Sequence, residues 1–126
     1  NPVACAAALA SMQIMSEQDL PGRARKLGER IETRLLAWQA EYPDRIGDVR
    51  GLGAMRAVEL VHPGGREPDA ERAKAWTKAC RKHGVVVLTA GVLGNVVRLL
   101  PPLIIENALM DEALDKMERA LTEVMP

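Results

Sequence analysis

The sequence predicts an α+β domain, a small and mostly antiparallel sheet with helices packed mainly on one face. Three observations lead there. Long segments carry apolar residues three or four positions apart, the spacing of helices with one sticky stripe. Between them lie short runs rich in valine and leucine, bracketed by glycine and proline. At 126 residues the chain has the size of one domain with one core.

The elements follow in order. Asn1 is a good N-cap and Pro2 a good first helical residue, since proline lacks the amide hydrogen that a first turn leaves unbonded. The run Val3 to Met15 is apolar on all sides, so this helix wants cover on more than one face. Two readings stand open: a core helix of this domain, or an interdomain helix whose remaining cover lies elsewhere.

Ser16-Glu17-Gln18-Asp19 resembles a helix start with Asp19 in place of the glutamate of a capping box. After Pro21-Gly22 the stripe Ala24, Leu27, Ile31, Leu35, Trp38 and Tyr42 marks the clearest helix, stopped by Pro43. Between Asp48 and Val61 a glycine-containing bend at Gly51 and Gly53 leads into one strand around Met55 to Leu60. A turn over His62 to Arg66 precedes a helix from Pro68-Asp69 to about Lys82, carrying Ala73, Trp76 and Cys80 inward. Gly84 ends it. Val85 to Thr89 and Asn95 to Leu100 read as strands joined by the turn Ala90 to Gly94, the second closed by Pro101-Pro102. Asn107 then caps a helix with the stripe Met110, Leu114, Met117, Leu121 and Val124.

Composition narrows the function classes. Seventeen basic residues balance seventeen acidic ones, interleaved along the chain, so there is no electrostatic footprint for nucleic acid. No run approaches the roughly 18 apolar residues of a membrane span. Cys5 and Cys80 are isolated thiols without metal-site or disulfide spacing, and a reduced cytoplasmic setting is the simplest expectation. Aromatic residues are scarce, so the core is expected to be aliphatic with methionine filling gaps. The opening Asn1-Pro2, without an initiator methionine, suggests a piece of a longer chain.

One residue invites a binding role. Arg98 lies in Asn95-Val96-Val97-Arg98-Leu99-Leu100, where a guanidinium among aliphatic neighbours must find an anion or reach water. Its planar donors match a carboxylate bidentately, most strongly in a partly desolvated pocket. The alternative is an arginine that snorkels or bonds an internal acid such as Glu59. Gly51-Leu52-Gly53 is a backbone bend rather than a phosphate cradle, because it opens no helix. His62 and His83 sit at a turn and a helix end with no catalytic partner nearby in sequence, Cys80 reads as a small buried hydrophobe, and Ser11 offers no triad. No catalytic, cofactor-binding or metal-binding residue emerges.

Three segments carry a resemblance: Asn1-Pro2-Val3-Ala4-Cys5-Ala6-Ala7-Ala8-Leu9, Val49 to Met55 leading to Glu59-Leu60, and Gly84-Val85 through Asn95-Val96-Val97-Arg98 to Pro101-Pro102-Leu103. In this order and separation they resemble the C-terminal small domain of class III aminotransferases of fold type I. Leu88-Thr89-Ala90-Gly91 before Asn95-Val96-Val97-Arg98 most resembles the 4-aminobutyrate branch. The resemblance covers residues 1–126 as one domain of a longer enzyme. It implies a dimeric parent that moves an amino group from an ω-amino acid to 2-oxoglutarate using pyridoxal phosphate. It further implies that Arg98 holds the α-carboxylate of glutamate or 2-oxoglutarate. The cofactor lysine, the ring-nitrogen aspartate and the phosphate-binding threonine would lie in the large domain, and Lys74 and Lys78 match no Schiff-base position. The expected partners are the amino acid and 2-oxoglutarate substrates, the large domain and a second subunit, with no nucleic acid or membrane. The fragment alone is expected to be inactive and to bind no cofactor. A stand-alone α+β binding or dimerisation module is the competing reading.

Overall fold

Caps and turns fix where each element begins. The computed structural model describes residues 1–64 and 66–125, so Gly65 of the expected turn lies outside the described residues. The order is α1 (Pro2–Glu17), α2 (Leu20–Glu41), β1 (Ile46–Leu52), β2 (Met55–Leu60), α3 (Ala70–Lys82), β3 (Leu88–Ala90), β4 (Val96–Leu99) and α4 (Asn107–Val124). Asn1 caps α1 through its side chain, as its identity suggests. The start of α2 differs from expectation. Asp19, not Ser16, is the cap; it adopts a left-handed backbone, φ 43°, and accepts from the Gly22 amide at 3.1 Å. Asp19 tolerates that conformation because its short polar side chain bonds locally. At α4 the cap position is Glu106 rather than Asn107, with no side-chain bond.

The sheet has four strands in the order β1-β2-β4-β3, every neighbouring pair antiparallel. Sequence reading expects three. The strand it misses, β1, carries only Ile46, Val49 and Leu52 as large apolar residues, and its register shifts between Ile46 and Asp48. That irregularity breaks the two-residue alternation by which strands are recognised. The expected bend at Gly51 and Gly53 is instead a tight hairpin, Leu52 pairing with Met55 and Gly53 left-handed at φ 54°. Strand β3 is also shorter and later than the expected Val85 to Thr89. Val85 bonds back to the Cys80 carbonyl at 2.9 Å and Val87 is buried, so this segment caps α3 before pairing begins.

Alternation sends Val58 and Leu60 of β2 and Val97 and Leu99 of β4 to one face, where all four are buried. Helices α2 and α3 lie on that face and α4 packs against both. The centre is less aliphatic than composition suggests: Trp38 and Trp76 are fully buried and meet edge to face at 6.0 Å. Each indole finds an acceptor, Trp38 at Glu118 and Trp76 at the Met117 carbonyl. Met110 and Met117 fill the remaining space beside them, and Cys80 is buried as expected. Burial pushes the Cys80 thiol up to about 12, which keeps it protonated and inert.

Two contacts tie the layers together. Gly28 is buried where α2 crosses the β1–β2 hairpin, and a Cβ there would lie 2.0 Å from the Gly53 carbonyl oxygen. Asp69 is buried at the start of α3, accepts from the Arg72 amide and side chain at 2.9 Å each, and Arg72 also donates to the Val124 carbonyl.

Helix α1 stands apart from this core. None of its residues is buried, and among the described residues its one neighbouring element is α2. The reading of α1 as a core helix therefore fails: its apolar residues ring the whole circumference, and the body of the fold offers it no surface beyond the junction. Among the described residues no helix is long and apolar enough to cross a membrane.

Three outcomes follow. Gly28→Ala forces backbone apart at the hairpin and is expected to cost about 1 to 3 kcal/mol, read as a lower denaturant midpoint. At Asp69, burial opposes the charged form, but the Arg72 amide, the Arg72 side chain and His62 outweigh it and hold the carboxyl below its ordinary value. Its stabilising contribution is present above the unfolded value and is lost as pH falls through the folded one. Asp69→Asn is thus expected to flatten the pH dependence of unfolding below about pH 4; an unaltered acid limb would show that Asp69 carries none of it. Thiol titration of the native chain should count Cys5 promptly and Cys80 only after denaturation.

Candidate functional site

The sheet face turned away from the helices is the other product of strand alternation. Asp48 and Arg50 of β1, Ala57 and Glu59 of β2, Val96 and Arg98 of β4 and Leu88 and Ala90 of β3 point that way. Pairing aligns Arg50, Ala57, Arg98 and Leu88 in one row across all four strands. Small Ala57 between two arginines leaves a shallow cleft of about 270 Å³, floored by Ala57, Ala90 and Val96 and flanked by Arg50 and Arg98.

The two arginines are in different electrostatic states. Arg50 is bonded through Nη1 to Asp48 Oδ2 at 2.6 Å and Glu59 Oε2 at 2.7 Å. Asp48 first and Glu59 second raise its pKa above the ordinary arginine value. Arg98 is exposed and its guanidinium has no hydrogen bond or ion pair among the described residues. Two expectations change here. Glu59, the internal acid within reach of Arg98, is engaged by Arg50 instead. The partly desolvated pocket expected around Arg98 is incomplete among the described residues: Val96 of the cleft floor is buried, but Arg98 itself is exposed.

A third arginine borders the cleft from the helix side. Arg56 is buried beneath the hairpin and bonds Glu32 of α2 at 2.6 Å and the Gly51 carbonyl at 3.3 Å, while its Nε has no partner. It is assigned no role from sequence. The signal was an arginine at an inward position of a strand otherwise apolar on that side, Val58 and Leu60.

The remaining polar residues gather elsewhere. His62 lies 3.5 Å from Asp69 and His83 Nε2 2.6 Å from Glu123 Oε1, so both have carboxylates beside them that sequence proximity hides. These pairs join α3 to its flanking segment and to α4, away from the cleft. Lys74 is exposed on α3 and bonded to Glu71, Lys78 is exposed on the same helix, and among the described residues no lysine lines the cleft beside Arg98. The cleft therefore has donors for an anion and no amine for a Schiff base.

A family model described as aminotransferase class-III matches residues 1–121. The chain belongs to the class III aminotransferases. Members of this family use pyridoxal phosphate. A 4-aminobutyrate aminotransferase of Mycobacterium leprae is 50% identical over 121 residues, which are 96% of this chain and 27% of that protein. An amine transaminase from an uncultivated Pseudomonas species, solved in its pyridoxal-phosphate-bound internal aldimine form, superposes with a TM-score of 0.84 at 33% identity, covering 98% of this chain and 28% of that one. A phospholyase from Arthrobacter in complex with phosphoethanolamine gives 0.88 at 31% identity over 97% of this chain and 29% of that one. The chain thus spans a little over a quarter of the length of the class III proteins it matches. Its α+β architecture is that of a segment shared by fold type I transaminases.

An unpaired arginine on an exposed face has little to do with folding. Arg98→Ala is expected to leave the unfolding free energy within about 0.5 kcal/mol of wild type, the range for surface changes away from structural features. Arg56→Ala, which strands Glu32 and empties space under the hairpin, should cost more than 1 kcal/mol by the same urea titration, roughly the scale of a lost bond to a charged group.

Proposed function

We propose that residues 1–126 are the C-terminal small domain of a cytoplasmic pyridoxal-phosphate-dependent aminotransferase that moves an amino group from an ω-amino acid such as 4-aminobutyrate to 2-oxoglutarate. The observation that carries this reading is Arg98: a guanidinium at a cleft, on a central strand, with no acid among the described residues bonded to it. Identity to a relative named as a 4-aminobutyrate aminotransferase supports the donor class.

The chemistry of the cleft fits an incoming carboxylate. The paired N–H donors of Arg98 match its two oxygens, and the alanine and valine floor accepts the carbon chain beside them. Bonding is weak while water competes, and it strengthens when the open face is covered. In this reading the large domain provides that cover and also packs on α1, whose apolar residues Val3, Leu9, Met12 and Ile14 are exposed here. A second subunit completes the dimeric enzyme. Pyridoxal phosphate supplies the electron sink for transamination, and in this reading the large domain holds it. The family match over nearly the whole chain favours this reading over a stand-alone docking module.

Two measurements test it. The 126-residue chain with added pyridoxal phosphate is expected to show no transaminase turnover above the free-cofactor background. In the intact enzyme, Arg98→Ala is expected to lower kcat/KM for 2-oxoglutarate by about 2 to 5 kcal/mol of transition-state stabilisation, the range for truncating one partner of a buried charge pair. Unaltered kinetics with 2-oxoglutarate would return Arg98 to a passive surface role.

A further inference from the structure

We infer that Arg50 is a positioning residue that keeps Arg98 free, by holding Glu59 on the far side of the alanine floor. This rests on the reading of Arg98 as the carboxylate grip and adds the device that prevents the grip from closing on Glu59.

The geometry is symmetric about β2. Ala57 has Arg50 as its partner on β1 and Arg98 as its partner on β4. Glu59, two residues along the same face, is paired with Asp48 on one side and Val96 on the other. It is therefore the diagonal neighbour of both arginines, at about 7 to 8 Å between backbones, a distance that long side chains span. Glu59 can serve either guanidinium. Counting charges does not decide which, because Asp48 paired with Arg50 and Glu59 paired with Arg98 would make the same number of ion pairs. The structure instead gives Arg50 both acids, at 2.6 and 2.7 Å, and among the described residues leaves Arg98 none.

One guanidinium with five donors can satisfy two carboxylates at once, so gathering both acids on Arg50 costs little. It also preserves one unneutralised cation about 9.5 Å away, two strand spacings along the row. A self-paired Arg98 would oblige an incoming acid to displace Glu59 first, which raises the concentration of acid needed for occupancy without altering the chemical step. Sheet backbone holds all three residues in register, so release of Glu59 requires only a side-chain rotation.

The experiment uses the intact enzyme with 2-oxoglutarate as the acid. Arg50→Met removes the holder, and KM for 2-oxoglutarate is expected to rise roughly twofold to fivefold, the scale of an exposed ion pair, with kcat at saturation changed less than twofold. Adding Glu59→Gln to Arg50→Met is expected to restore KM, since the released side chain then carries no charge. A merely structural role for Arg50 predicts the reverse, because the double variant removes more native contacts. If Arg50→Met yields no folded enzyme, Arg50→Gln, which stays polar at this half-exposed site, carries the same expected ratio. Arg98→Ala serves as the reference. Should it leave KM for 2-oxoglutarate unchanged, the carboxylate reading falls and this inference with it. Should it raise KM while the Arg50 variants do not, or while Glu59→Gln fails to relieve them, the holding role alone is overturned.

Discussion

A β-sheet has two faces, and this chain covers one. Every other side chain of β2 and β4 enters a core closed by α2 and α3, with α4 packed over both, and the intervening ones lie on the opposite face, where Val96 is buried and Arg98 exposed. The same alternation that buries Val58, Leu60, Val97 and Leu99 delivers Ala57, Glu59, Val96 and Arg98 to the opposite side. Charge is tolerable there because water, rather than hydrocarbon, faces it. The candidate site is in this sense a by-product of how the core is made.

The hairpin between β1 and β2 is what anchors that face to the helices. It is pinned to α2 at the Gly28 and Gly53 backbone contact and again by Arg56 reaching Glu32. Both ties lie on the helix side, so they steady the row of Arg50, Ala57 and Arg98 without intruding on it. Binding groups held on strands are better positioned than groups on loops, and here the strands are held in turn. Arg56 sits with an unbonded Nε in this arrangement, a local cost accepted where the sheet meets the helix.

Legibility followed periodicity. The stripe from Ala24 to Tyr42 and the one from Met110 to Val124 repeat over four or more turns, and both became helices packed on the core. Strand β1 escaped because a glycine-rich edge strand with a bulge has too few apolar positions to show a period of two. Helix α1 carried a real signal with two meanings: apolar residues on every side demand cover, and sequence cannot say which surface provides it. Arg98 stands out as a charge among aliphatic neighbours, whereas the pairing of Arg50 with Glu59 does not, since their contact depends on strand register and on a hairpin whose first strand lacks a clear alternation.

Local chemistry by itself determined the number and order of the helices, the sites of the turns, the buried role of Cys80 and the oddity of Arg98, because each follows from neighbours within one or two turns of chain. Which arginine keeps its charge free was decided only in three dimensions. Arg50 and Arg98 are both basic residues on short strands, alike in sequence, and they differ because pairing across β2 places Glu59 diagonal to both and Asp48 beside one. Register, not residue type, sets that difference, and register exists only once the strands have found each other.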